Sequence, residues 1–189
     1  MFHSIARWVS HGFNPAGVAL FLWICWWNYH PDEGFVVMLG VLFYIVLPAL
    51  SLFYGLSRGH MDQLYPTVRQ QRSELLLTGA VSYGLGAIVL WMVYPDLLLL
   101  IVGISFTLAT LLVFCINIFW KISIHCVGVG GATALLFPIA GVGMVWPVML
   151  TALLVGWARL RLGAHTVPQV LAGFTLGAGV SLAVYWAVI

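Results

Sequence analysis

The chain has 189 residues, of which 63% are hydrophobic and 6% charged, with seven Lys or Arg against five Asp or Glu. A soluble domain carries about 45–50% apolar and about 25% charged residues, so no water-soluble packing scheme can hide this much apolar surface. A formal net charge of +2, without a basic run or aromatic residues interleaved with basic ones, gives no support for nucleic-acid binding.

At about 20 residues per span, the length accommodates six or seven membrane helices and no separate soluble domain. Residues 1–189 are therefore read as one domain, an all-α polytopic transmembrane helix bundle integral to a membrane. Only Arg7 precedes the first apolar run, and no small-residue cleavage pattern follows it, so that run is read as a spanning helix and not as a removable signal.

In chain order the apolar segments cover residues 13–30, 34–56, 74–94, 96–120, 123–140, 144–160 and 167–188. None shows the strict alternation of a membrane strand, so all are predicted helices. The fifth is the weakest: Gly128, Gly130 and Gly131 loosen its start, while Pro138, Gly141 and Gly143 break its end, which predicts a short or kinked helix. Gly173 and Gly177 in the last segment form a Gly-x-x-x-Gly pair that permits close approach of a neighbouring helix.

If all seven segments cross, connections alternate sides. Arg7, Arg58, Arg69, Arg72, Lys121, Arg159 and Arg161 then share the amino-terminal side, whereas Asp32, Glu33 and Asp96 occupy the opposite loops. The positive-inside rule places the basic side in the cytoplasm, as for a protein of the bacterial inner (plasma) membrane. A competing cause of the same clustering is the binding of a phosphorylated substrate.

Cys25, Cys115 and Cys126 lack paired-ligand spacing and read as three buried thiols, neither a disulfide nor a zinc site. His3, His11, His30 and His60 stand at predicted helix ends or in loops, as interfacial hydrogen-bonding residues. The nine Trp mostly fall near predicted ends as an aromatic belt, with Trp23 and Trp26 placed to line a lipid-facing groove. Asn117, one turn before Lys121, is suited to a contact with the basic site or with another helix.

Three basic loops carry most of the unusual polar residues: Arg58 to Glu74, Trp120 to His125 (WKISIH), and Ala158 to Gln169 (ARLRLGAHTVPQ). Arg, Lys, His and Ser together supply what phosphoryl transfer without a metal needs. Cations neutralise the equatorial oxygens, a nucleophile attacks phosphorus, and an acid protonates the leaving oxygen.

The loops resemble those of the type 2 phosphatidic acid phosphatase superfamily, the lipid phosphate phosphatases, over roughly residues 57–180. Arg159, five residues, His165, three residues and Gln169 repeat the spacing of that family's third motif, which has Asp in the last position. Ser123 and His125 keep the separation of its second motif, with Ile122 and Ile124 in place of Pro and Gly. Arg72 occupies the Arg position of its first motif, Tyr65 stands where Lys would be, and Ala158 replaces a Ser. A divergent branch fits this pattern best.

The resemblance implies a membrane-embedded phosphatase of lipid phosphates or isoprenoid diphosphates that needs no metal or other cofactor. His165 would attack phosphorus to form a phosphohistidine, His125 would protonate the departing oxygen, and Arg72, Arg159 and Ser123 would hold the phosphoryl oxygens. Lys121 is a candidate replacement for the missing first-motif Lys. Gln169 would orient His165 without contributing charge, and Glu74 and Asp62 are the only carboxylates nearby on that face to compensate. Two other readings remain open: a catalytically reduced relative that binds anionic lipid or supports a membrane complex, and a haem or quinone protein using the His pair as ligands.

Overall fold

The computed structural model describes residues 2–60 and 69–189, and every regular element among them is a helix. In order these are α1 (Phe2–Gly12), α2 (Pro15–Tyr29), α3 (Gly34–Ser57), α4 (Arg69–Val93), α5 (Leu97–Phe119), α6 (Ile124–Ala140), α7 (Val145–Arg161) and α8 (Val167–Val188). Helices α3, α4, α5 and α8, and the run Val142–Arg161 in which a 3-10 turn precedes α7, are long and apolar enough to cross a membrane. The apolar α2 and α6 have 15 and 17 residues, or roughly 22 and 25 Å, against a hydrocarbon core of about 30 Å. The chain folds as an all-α bundle of membrane-protein character.

The seven apolar segments of the sequence become α2 to α8, each cut where local chemistry requires it. Asn14 caps α2 by accepting from the Gly17 amide at 2.7 Å, with Pro15 in the first turn where its missing N–H costs nothing. Asp96 caps α5 by accepting from the Leu98 and Leu99 amides at 2.8 and 3.0 Å. Pro138 lies near the end of α6, and Gly141 terminates it at φ 76°. α6 is accordingly short, and its glycines lie within the helix.

Helix α3 contains a π turn at Leu42–Val46. Pro48 cannot donate to the Tyr44 carbonyl, and its ring crowds the preceding turn, which opens into the wider form. Ser82 of α4 donates to the Phe43 carbonyl at 2.6 Å, supplying a partner beside the irregular turn. The buried Tyr44 ring stacks on Tyr83 at 5.2 Å and meets Trp23 edge-on.

Helices α6 and α8 run side by side in parallel, with main chains almost touching. A Cβ on Gly173 would lie 2.7 Å from the Ser123 carbonyl, one on Gly130 would lie 2.5 Å from the Phe174 carbonyl, and one on Gly177 would collide with the Val127 carbonyl. The Gly-x-x-x-Gly pair of α8 is therefore a helix-packing device. Because the crossing lies near the amino-terminal ends, it also brings the starts of α6 and α8 together.

At the other end of the bundle, Glu33 joins α2, α3 and α4. Its carboxylate accepts from Trp26 Nε1 at 2.8 Å and from the Tyr94 hydroxyl at 2.6 Å, and lies 3.3 Å from His30 Nδ1. Trp23 and Trp26 are buried, which corrects their expected place beside a lipid-facing groove; Gly40 gives the Trp23 ring its space. Trp8, Trp27, Trp146 and Trp186 are exposed on the outer surface. Of the three free thiols, Cys25 and Cys126 are buried, but Cys115 is exposed on α5.

Helix α1 was not anticipated by the apolar segmentation. Ala6 and Ser10, four residues apart, are buried, and α1 packs on α7. Phe2, Ile5 and Trp8 form an exposed apolar edge, while His3, Arg7 and His11 form an exposed polar one. His3 and His11 thus stand near the two ends of a helix.

Candidate functional site

The starts of α4, α6 and α8 and the end of α7 bring together the basic residues of the three loops. Arg72 lies in the first turn of α4, Lys121 and Ser123 precede α6, His125 is its second residue, and Arg159 lies in the last turn of α7. His165 stands in the turn before α8, and Gln169 in the first turn of that helix. The amino termini of α6 and α8 contribute partial positive charge at this end, and the carboxyl end of α7 contributes partial negative charge beside Arg159.

His165 is 9% exposed. Burial first, and the Arg159 guanidinium second, push its imidazole down to about 4; a hydrogen bond with Gln169 opposes this, and Lys121 and Arg72 add to it. The imidazole is therefore neutral at pH 7, and three cations of three separate loops lie within electrostatic range of it. Burial, then Arg72 and Arg159, also lower Lys121. His125 lies within electrostatic range of both Arg159 and His165, so the two imidazoles forty positions apart belong to one cluster.

The side-chain amide of Gln169 fixes the His165 tautomer. Its Oε1 is 3.1 Å from the Thr166 main-chain nitrogen and 3.1 Å from His165 Nδ1. The main-chain N–H can only donate, so the amide oxygen must face it, and the same oxygen faces Nδ1. The proton therefore resides on Nδ1, and Nε2 keeps its lone pair. The Thr166 side chain completes a capping box by accepting from the Gln169 main-chain N–H. The Gln thus serves helix geometry and imidazole orientation together.

Arg72 is 5% exposed and donates from Nη2 to the Ile122 carbonyl at 3.0 Å, while its buried Nη1 has no partner among the described residues. Among those residues no carboxylate pairs with Arg72 or Lys121. One turn along, buried Asn117 donates to Ser73 at 3.2 Å and so links α5 to α4 beside Arg72. Glu74 is exposed, while Asp62 and Tyr65 fall outside the described residues.

Ser123 is fully buried. Its hydroxyl donates to the Cys126 thiol at 3.1 Å, and its main-chain N–H donates to the Gln169 carbonyl at 3.3 Å. This residue fastens the start of α6 to the start of α8, with its hydroxyl directed into the first turn of α6. Sequence reasoning missed Ser10: its hydroxyl accepts from Arg159 Nη1 at 2.6 Å, and its backbone hydrogen-bonds the His125 ring. No metal-type cluster of His, Cys, Asp and Glu occurs among the described residues.

The chain matches no protein-family model, no curated protein and no solved structure. The arrangement can therefore be read only from its own chemistry: a neutral, oriented imidazole and a second imidazole among Arg72, Lys121 and Arg159.

Proposed function

We propose that this chain is a membrane-embedded phosphatase, of the type 2 phosphatidic acid phosphatase kind, acting on lipid phosphates or isoprenoid diphosphates. The observation that carries this reading is the His165 imidazole, held by Gln169 with Nε2 unprotonated and set among three cations from separate loops. A phosphoryl group is the ligand that matches several positive groups around a neutral nucleophile.

In the proposed reaction, His165 Nε2 attacks phosphorus and the bond to the leaving oxygen breaks. His125, protonated once the phosphate anion lies beside it, gives that proton to the leaving oxygen, while Arg72, Lys121 and Arg159 take up the charge on the remaining oxygens. Attack makes the His165 ring cationic, and its Nδ1–H bond to Gln169 strengthens accordingly. Water then attacks the phosphohistidine with His125 accepting its proton; the P–N bond breaks, inorganic phosphate leaves, and His165 returns to the neutral form with His125 protonated as at the start. The head group lies at the membrane surface while the apolar tail stays in lipid or between helices. With the basic loops cytoplasmic, the substrate is one presented on the inner face of a bacterial plasma membrane.

A second reading, an anionic-lipid binder without turnover, draws support from the uncharged Gln169, since the family pattern has Asp there. The test for both is phosphate release from phosphatidic acid and from short-chain isoprenyl diphosphates by the purified chain, run beside His165→Ala. Release that disappears in the variant supports the phosphatase; equal release from both proteins overturns it; binding without release by the wild type favours the binder.

A further inference from the structure

Helix α1 bears no motif residue, yet it touches two members of the site. Ser10 lies in its last turn, 5% exposed, with its hydroxyl 2.6 Å from Arg159 Nη1. The Ser10 backbone also hydrogen-bonds the His125 ring. Ala6, one turn earlier, is fully buried on the same face, and Val9 packs against the core formed by α2, α6, α7 and α8. The last turn of α1 is thus held by packing at Ala6 and Val9 and by the Ser10 contacts.

Resting on the phosphatase reading above, we propose that Ser10 is a positioning residue of the phosphate site and that α1 forms one of its walls. An Arg side chain has several rotatable bonds, and at the end of α7 many rotamers reach water. The Ser10 hydroxyl accepts from one guanidinium nitrogen and selects one of these. Through its backbone the same residue sets the plane of the His125 ring. Nucleophile support thus comes from Gln169, whereas acid and cation support comes from a residue 149 positions away from Arg159. Ser10 touches no substrate atom in this scheme; it acts through Arg159 and His125.

Ser10→Ala removes only the hydroxyl, leaving the backbone bond to His125 and a residue well suited to a helix. In the detergent-solubilised full chain, Ser10→Ala should weaken inorganic phosphate binding by about tenfold, as expected for the loss of one hydrogen bond that orients a charged group. Ser10→Thr, which keeps the hydroxyl, should restore it. The decisive measurement is a cycle with Arg159→Ala: the double variant should bind phosphate no more weakly than Arg159→Ala alone, because Ser10 has nothing left to orient. Additive losses, or Ser10→Ala affinity equal to wild type, would overturn the positioning role while leaving the phosphatase reading intact. A wild type that neither binds phosphate nor releases it overturns both.

Discussion

Gln169 Oε1 lies 3.1 Å from His165 Nδ1 and 3.1 Å from the Thr166 main-chain nitrogen. One oxygen therefore caps a helix and holds the imidazole tautomer. Gln169→Leu removes both acceptor contacts and should lower phosphate release by about 10²–10⁴, the upper figure matching the cost of a wrong tautomer in a serine protease triad. Gln169→Glu keeps the reach and adds a charge that stabilises the cationic ring, and should retain or raise turnover. Gln169→Leu with full activity would remove the tautomer argument.

The acid limb of the rate profile follows from the same imidazole. Its ordinary value is 6.5, and burial with the Arg159 charge lowers it to about 4. The neutral nucleophile is then present from about pH 4 upward, so kcat/KM for the free enzyme should hold well below pH 6 and fall near pH 4. Folding is linked with a definite sign. Between pH 4 and 6.5 the unfolded chain binds the proton and the folded one does not, so stability declines as pH falls through that window. A His165 ring that titrates near 6.5 in the free protein, followed by NMR from pH 4 to 8, would contradict the assigned nucleophile.

Two glycines two residues apart on α8 separate packing from helix propensity. A Cβ at position 177 meets the Val127 carbonyl, whereas nothing lies within 4 Å of one at position 179. Gly177→Ala should destabilise the fold by about 1–3 kcal/mol through overpacking, while Gly179→Ala should be neutral or slightly stabilising. Thermal unfolding of both variants in the same detergent checks this; equal midpoints would mean that the α6–α8 crossing yields without cost.

Sidedness is open to chemical labelling. In a background lacking Cys25, Cys115 and Cys126, a cysteine at position 32 should react with an impermeant thiol reagent added outside the cell, and one at position 161 should not. The reverse pattern would place the basic loops outside.

Helix α1 offers a finer version of that measurement. Its edge of Phe2, Ile5 and Trp8 is exposed, as is the polar edge containing Arg7, the arrangement of a helix lying in the membrane surface. A cysteine at position 5 should be shielded from a polar reagent in proteoliposomes and one at position 7 should react. Equal reactivity would place α1 in water.

The bundle was largely legible in the sequence because a membrane helix must be a long apolar run, and its ends are marked by Asn14, Asp96 and Thr166. The π turn was not: only Pro48 hints at it, and the widened turn depends on Ser82 from another helix reaching the Phe43 carbonyl. Trp23 and Trp26 look like interfacial residues until Gly40 and Glu33, distant in the fold's surface pattern, are seen to enclose them. Helix α1 is too polar to register as a span, and its signal was the helical spacing of Phe2, Ile5 and Trp8. Motif spacing singled out His125, Arg159, His165 and Gln169 as one group, but nothing local connects Ser10 to Arg159, because that contact exists only after α1 packs on α7.

The Ser123 amide and the Gln169 carbonyl join the two helix starts beside the histidines by a bond that contains no side-chain atom. Such a joint is indifferent to spelling. Side chains beside it can change while the two helix starts keep their spacing, because the joint asks only for a main-chain N–H and a main-chain carbonyl.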